Sequence, residues 1–438
     1  MNTNEKYEIA DLVIKHALKN GANQIAVSID DSTSRRIEIR EKKIDRLQES
    51  IGNTLTVSLY VDNKYSSNTT NLLKKDDLLK FVKGTVASTR YLSEDEFRYL
   101  PDKELYYQGG RGDLKTIDLS INDVDPKTKI DLAREVENEI YGTDDRIVSV
   151  TSSYEDNISN SVLVASNGFK GDSGVSYASL VAIVSLKGDT GRPEAYAYDY
   201  NIFFDKLIKS GLGKTALDKA IKKLNPKKIS SGKYQMVIDK LVAPNIIRPF
   251  ISALNGSSMY QKNSFLTAKT NKKVASEKLS FIDDPLLLSR FGSRHFDSEG
   301  LNAVKRNIIE DGILRNYYIG TYYGRKLDLP PTTASSSNII YKQGDKDLNG
   351  LIKSIKKGIL VTGFNGGNCN GATGDFSYGI EGFFVENGEI IHPVNEMNIS
   401  GNMNDFWNTL VETGNDPNPY DSNMIPSLLF DKTDFSGL

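Results

Sequence analysis

Between Val361 and Trp407 the chain reads VTGFNGGNCNGATGDFSYGIEGFFVENGEIIHPVNEMNISGNMNDFW, its densest run of structural punctuation. Glycines at 363, 366, 367, 371, 374, 379, 382, 388 and 401 separate short apolar and aromatic runs. Glycine reaches positive φ at no steric cost, so this spacing marks tight turns, bulges and close backbone approaches. Phe383-Phe384-Val385, then Asn387-Gly388, then Ile390-Ile391 predicts a hairpin. Asn-Gly supplies the two positive-φ positions of a type I′ turn. Glycine-rich β structure also lets another backbone approach, a peptide's or a partner subunit's. A β meander without chemistry fits the same pattern, so the stretch alone leaves both readings open.

The rest of the chain narrows the choice. At 438 residues it has room for two domains and a sizeable core. Its 55 basic and 57 acidic residues balance, so charge gives no reason to expect nucleic acid or anionic lipid. A single cysteine, Cys369, excludes an internal disulfide framework and a Cys-rich zinc site, and fits a reducing cytoplasm. No window holds 18 consecutive apolar residues, so no membrane span is expected. The first twenty residues lack the apolar core of a signal peptide and show helical periodicity instead.

Apolar spacing predicts helices over residues 5–20, 76–92, 126–141 and, weakened by Gly211 and Gly213, 201–224. Strand-like runs fall at Gln24–Ile29, Arg35–Leu47 with a turn near Glu41–Lys43, and Thr54–Val61. A second set follows at Ile147–Ser152, Ser161–Ala165 and Gly174–Lys187. Helix followed by strands thus occurs twice, near 5–61 and near 126–187, which suggests a duplicated topology. The polar stretch Lys227–Gly232 separates an N-terminal α+β domain, 1–226, from a C-terminal domain, 232–438. In the second domain Pro244 suits a first helical turn, and Pro249 should kink or end a helix. Asn255–Ser258 reads as a loop, and Asp311-Gly312 as a hairpin turn.

Chemistry is scarce. The histidines are His16, His295 and His392, with no HExxH and no pair at helical spacing. Zinc hydrolases need three protein ligands and an open position. The best local set is His295, Asp297 and Glu299, whose period-two spacing would put them on one face of a strand as a weak alternative metal site. The same carboxylates could instead cap turns or pair with Arg294 and Arg306. Cys369 lies in a polar loop with no neighbouring base to lower its pKa. No Walker loop, nucleophile elbow or dinucleotide fingerprint occurs.

Several motifs in order carry a family resemblance. They are Ser166-Asn167-Gly168-Phe169-Lys170-Gly171, Tyr196-Ala197-Tyr198-Asp199, ISSGKY at 229–234, FDSEG at 296–300 and IEDGIL at 309–314. Gly374-Asp375-Phe376-Ser377, Glu381 to Glu389, Ile399-Ser400-Gly401-Asn402 and Gly414-Asn415-Asp416 follow. Together they resemble the TldD/PmbA family, the paired subunits of a cytoplasmic metalloprotease once described as modulators of DNA gyrase. The resemblance covers nearly the whole chain. It implies an α+β fold in two domains, duplicated helix-plus-antiparallel-strand units and then a mixed, β-rich, barrel-like domain with helices. The TldD branch carries HExxxH and a late cysteine as its zinc site, and the PmbA branch, also called TldE, lacks them. Here the corresponding window is Ile247–Ser252, IRPFIS, without His, Glu or Cys, and Cys369 lies upstream of the late position. The chain therefore resembles the PmbA/TldE branch, with no catalytic or metal residue to carry over and no cofactor of its own. What this implies is a heterodimer in which a TldD-type partner holds zinc and cleaves unfolded or leader peptides. Asp375, Ser377 and Glu381 would line the peptide chamber. An autonomous hydrolase with an atypical site, or a homodimeric peptide-binding scaffold, are the alternatives.

Overall fold

The computed structural model describes residues 1–437. The first repeat is α1 (Thr3–Lys19), β1 (Gln24–Arg40), β2 (Lys43–Val61), β3 (Lys64–Thr70) and α2 (Lys75–Thr89). The second is α3 (Pro126–Asn138), β4 (Ile147–Ala165), β5 (Lys170–Leu186), β6 (Glu194–Asn201) and α4 (Leu212–Lys222). Their strands form one antiparallel sheet ordered β3-β2-β1-β4-β5-β6. The order reads the same from both edges, as a duplicated unit joined at β1–β4 requires.

The strands are longer than the apolar runs predict. β1 and β4 are each continuous, because the polar middle of each pairs on both sides. Backbone hydrogen bonds are satisfied there whatever the side chains do. The turn after β1 falls at Glu41 and Lys42, both at positive φ. The helix expected from residue 201 begins only at Leu212, after Gly211 with φ 86°. The segment before it includes the 3₁₀ turn Phe204–Lys206, and β6 ends at Asn201.

All four helices cover one face of the sheet. Ile25, Val27 and Ile29 of β1 pack with Ala10, Val13, Leu78 and Val82 of α1 and α2. Ile37 and Ile39, on the same face by strand alternation, pack with Leu132, Val136 and Ala216 of α3 and α4. Burial of such apolar surface is the main stabilising term, at about 25 cal/mol per Å². Each repeat also buries a lysine against an aspartate, Lys6 with Asp31 and Lys129 with Asp156.

The C-terminal unit runs β7 (Gly232–Ile238), α5 (Ala243–Ala253), α6 (Gly256–Tyr260), β8 (Phe281–Asp283), β9 (Arg306–Glu310), β10 (Ile313–Leu314), α7 (Thr321–Leu327) and β11 (Ile339–Tyr341). It continues with α8 (Leu348–Lys353), β12 (Lys357–Cys369), β13 (Asp375–Glu386), β14 (Glu389–Asn402), β15 (Leu410–Thr413), β16 (Asn423–Met424) and β17 (Leu428–Ser436). β7, β12, β13, β14 and β17 close into a five-stranded barrel, sealed by Asn398↔Ser436 and Ile399↔Phe435. β7 and β12 are parallel and the other barrel pairs antiparallel. A second sheet runs β10-β9-β8-β11-β16.

Pro249 does not break α5, contrary to expectation. A mid-helix proline costs about 3 kcal/mol or more. Ile246, Ile247 and Phe250 are fully buried from the same helix, and about 1.5–3 kcal/mol each outweighs that cost. Pro244 stands in the first turn, where its missing N–H is harmless. Asn255 caps α6, a short helix where the sequence suggested a loop. The Asn387-Gly388 turn joins β13 to β14 with φ of 52° and 81°.

Candidate functional site

Two places collect candidate residues, the glycine-rich β12–β13–β14 wall and a cavity between the two halves of the chain. In the wall, glycine serves close packing within the barrel. A Cβ on Gly382 would sit 1.9 Å from the Leu360 carbonyl oxygen, and one on Gly367 2.1 Å from that of Ser377. The backbones that approach are neighbouring strands. Bulges in β12 and β13 fall beside these glycines.

Asp375 opens β13, exposed, and accepts from Thr373 Oγ1 at 2.6 Å and Asn402 Nδ2 at 2.8 Å. Those two bonds hold its carboxyl below the usual range. Ser377 is exposed, between Asn368 and Ser400 in register. Glu381 is not free. It takes a 2.5 Å hydrogen bond from Lys223, just past α4, and so ties the barrel to the N-terminal sheet unit. Cys369 is half-buried, and burial and Asp375 raise its thiol pKa. A raised pKa keeps the thiol protonated, the reverse of what a nucleophile needs.

The cavity has a volume of about 980 Å³. Its floor is the helix-free face of the N-terminal sheet, where Ser28 and Asp30 of β1, Thr56 and Ser58 of β2 and Ser161 of β4 point outward. Small polar side chains leave the room. The roof is the segment 291–299 with Thr321 and Tyr322 of α7. One side is held by Arg98, whose guanidinium lies 3.4 Å from the centre of the Tyr322 ring and 4.4 Å from that of Tyr65. Such cation–π contacts contribute about 0.5–2 kcal/mol. Arg325 donates to the carbonyls of Phe97, Tyr99 and Leu100 and fixes the same wall.

His295, Asp297 and Glu299 all reach this cavity but do not form a ligand set. They lie on no strand, so period-two spacing does not align them. The His295 ring stacks on Tyr107 at 5.1 Å, and burial lowers its pKa. Asp297 accepts backbone N–H bonds from Glu299, Leu301 and Ala334. Glu299 accepts from the backbone and hydroxyl of Thr321. Burial raises both carboxyls above the ordinary range, and these donors offset only part of the rise. Both acids are therefore spent capping turns. Arg294 and Arg306 donate to the carbonyls of Ser335 and Thr332. Among the described residues no group of three His, Cys, Asp or Glu could hold a metal ion.

The Ile247–Ser252 window forms the second half of α5, with Ile247 and Phe250 in the core. His392 stacks on Phe384 at 5.4 Å within β14. Lys223 and the Arg98 sandwich went unforeseen. The first had no signal, since its partner is 158 residues away. No helix is long and apolar enough to cross a membrane among the described residues.

Residues 119–224 match the PmbA/TldA metallopeptidase central domain and residues 231–437 its C-terminal domain. Metalloprotease PmbA homolog of Haemophilus influenzae is 30% identical over 438 residues, covering 99% of this chain and 96% of that one. Metalloprotease PmbA of Escherichia coli O157:H7 is 28% identical, covering 89% and 87%. A Metalloprotease TldD homolog of Buchnera aphidicola is 26% identical over 69% of each chain. A crystallised candidate modulator of DNA gyrase from Bacteroides thetaiotaomicron superposes with a TM-score of 0.98 at 46% identity, over 100% of both chains. TldE of Thermococcus kodakarensis shares the fold, with a TM-score of 0.85 at 16% identity, over 98% of this chain and 100% of that one.

Proposed function

Because the chain belongs to the TldD/PmbA metallopeptidase family, in its PmbA/TldE branch, we propose that it is the non-catalytic subunit of a heterodimeric cytoplasmic peptidase. Zinc and the catalytic base reside in a TldD-type partner, and this chain holds that partner and walls part of the peptide chamber. Substrates are unfolded polypeptides or leader peptides, gripped as extended strands through sequence-tolerant backbone bonds. Asp375 and Ser377 face outward and are the wall residues available to a peptide, while Glu381 braces the wall through Lys223.

The observation that carries the reading is α5. The TldD branch would hold metal ligands in the corresponding window, and this chain buries Ile247 and Phe250 in the core instead. A zinc ion does not fit a window without His, Cys, Asp or Glu. The three histidines stand apart, and the roof carboxylates are occupied by backbone donors and the Thr321 hydroxyl.

Reconstitution tests this. The purified chain should neither bind zinc stoichiometrically nor cleave casein, and adding a TldD-type subunit should give a 1:1 complex that cleaves. Cleavage by the chain alone, with bound zinc, would overturn the proposal. Cleavage-free peptide binding in the presence of the partner would support the scaffold reading in its place.

A further inference from the structure

Two charged side chains line the cavity without an ion partner, one of each sign. Arg98 is held between the rings of Tyr322 and Tyr65. The stacking fixes the plane of the guanidinium, and among the described residues its N–H groups meet no acceptor. The acids around it are engaged elsewhere. Asp95 takes the Tyr322 hydroxyl and Lys326, and Glu299 takes the N–H and hydroxyl of Thr321. An oriented guanidinium with free donors recognises a carboxylate, two N–H groups to two oxygens.

Asp30 is the opposite case. It accepts only the Ser28 hydroxyl, at 2.7 Å, and no basic side chain lies within ion-pair distance of it among the described residues. Of the other carboxylates on the lining, Asp172 takes the Tyr7 hydroxyl at 2.9 Å and Asp113 the Lys115 N–H at 2.8 Å. The other arginine of the lining, Arg294, donates to the Ser335 carbonyl at 2.6 Å.

Strand register sets the separation of the two charges. Tyr65 pairs with Tyr60, and Tyr60 with Gln24, six residues before Asp30 on β1. At about 3.4 Å per residue and about 4.8 Å per strand, Asp30 stands roughly 20 Å from the Tyr65 ring that carries Arg98. An extended chain covers about 3.3–3.6 Å per residue, so about six residues bridge that span. The hydroxyls of Ser28, Thr56 and Ser58 lie along the way, and each can donate to or accept from a peptide backbone.

We propose that the cavity binds a short peptide with both ends free, about six residues long, its α-carboxylate on Arg98 and its α-ammonium on Asp30. A single amino acid is too short to reach both groups, and an inner segment of a longer chain carries neither charge. Such peptides are what a peptidase releases, so their origin rests on the function proposed above. The site itself lies wholly within this chain and needs neither partner nor metal.

Calorimetric titration of the full chain alone with the hexapeptide Ser-Ala-Ser-Ala-Ser-Ala tests this. Acetylating the amino end, or amidating the carboxyl end, should each weaken binding by at least about tenfold, the effect of one charge-assisted contact. Asp30→Asn should weaken the free peptide and leave the acetylated one unchanged. Arg98→Gln should weaken the free peptide and leave the amidated one unchanged. Side chains that only supported the cavity would weaken every form alike. Trialanine, which reaches one charge only, should bind at least about tenfold more weakly than the hexapeptide. No binding at millimolar hexapeptide, equal affinity for free and blocked forms, or equal losses for every form in both variants would each overturn the proposal. Cleavage by a reconstituted pair is a separate readout, and its failure would overturn the peptidase reading while leaving this binding in place.

Discussion

Lys129 Nζ lies 2.6 Å from Asp156 Oδ2, and both residues are almost wholly removed from water. Lys129 also donates to the Ile121 carbonyl, and Asp156 accepts from Arg35 at 3.1 Å. The pair fastens α3 to the middle of β4, where Asp156 interrupts the buried apolar row of Tyr154 and Ile158. Lys6 and Asp31 fasten α1 to β1 in the same manner. The duplicated fold thus repeats a polar fastening as well as a topology.

Removing one partner should cost more than removing both. Lys129→Met leaves a buried carboxylate with only Arg35, and should destabilise the chain by about 3 kcal/mol. Adding Asp156→Leu should restore most of the loss, because the uncompensated charge is gone. Urea unfolding of the single and double variants measures both. Equal losses in the two would contradict the account.

The Lys223–Glu381 pair is about a quarter exposed and joins the two halves of the chain. Solvent screening limits such a pair to about 1 kcal/mol. A double-mutant cycle with Lys223→Ala and Glu381→Ala should give a coupling of that order, shrinking in high salt. Limited proteolysis should cut the 224–231 connection faster in either variant. A coupling indistinguishable from zero would remove Glu381 from the bracing role.

Cys369 should alkylate slowly. Burial and the Asp375 carboxylate both disfavour its thiolate. Iodoacetamide at pH 7.5 should react several-fold more slowly than with a free cysteine peptide. Asp375→Asn removes the like charge and should speed the reaction. Cys369→Ser should leave cleavage by the reconstituted pair intact.

Local chemistry was legible in the sequence and distant juxtaposition was not. The hairpin at Asn387-Gly388 follows from the φ values that turn demands, and both repeats were visible as helix-then-strand patterns. The middles of β1 and β4 were illegible because their residues face a polar cavity on one side and are fastened by ion pairs on the other. The helix through Pro249 was illegible because propensity is local while its compensation, the packing of Ile247 and Phe250, is tertiary. Barrel closure rests on Asn398 and Ile399 meeting Ser436 and Phe435, which no short-range pattern encodes. The same holds for the cavity, whose walls come from positions as far apart as Ser28 and Tyr322.

Asp421 gives the fold a pH signature. It lies between β15 and β16, and burial pushes its carboxyl up to about 6, against 3.8 for the ordinary group. It also lies near Tyr198 of β6, whose phenol is raised to about 12 by burial first and by the Asp421 charge next. A carboxyl raised in the folded state binds its proton more tightly there than in the unfolded chain. Its contribution to stability is therefore complete below about pH 3.8 and is lost as pH rises through about 6. At pH 8 the folded chain carries a partly buried charge. Asp421→Asn should then stabilise the protein by about 1 kcal/mol, a value discounted for the exposed share of the group. At pH 4 the protonated acid and the amide are nearly equivalent, and the gain should vanish. Urea midpoints of both chains at pH 4, 6 and 8 measure it. A gain that does not change with pH would mean that Asp421 keeps an ordinary carboxylate and that burial is not what sets its protonation.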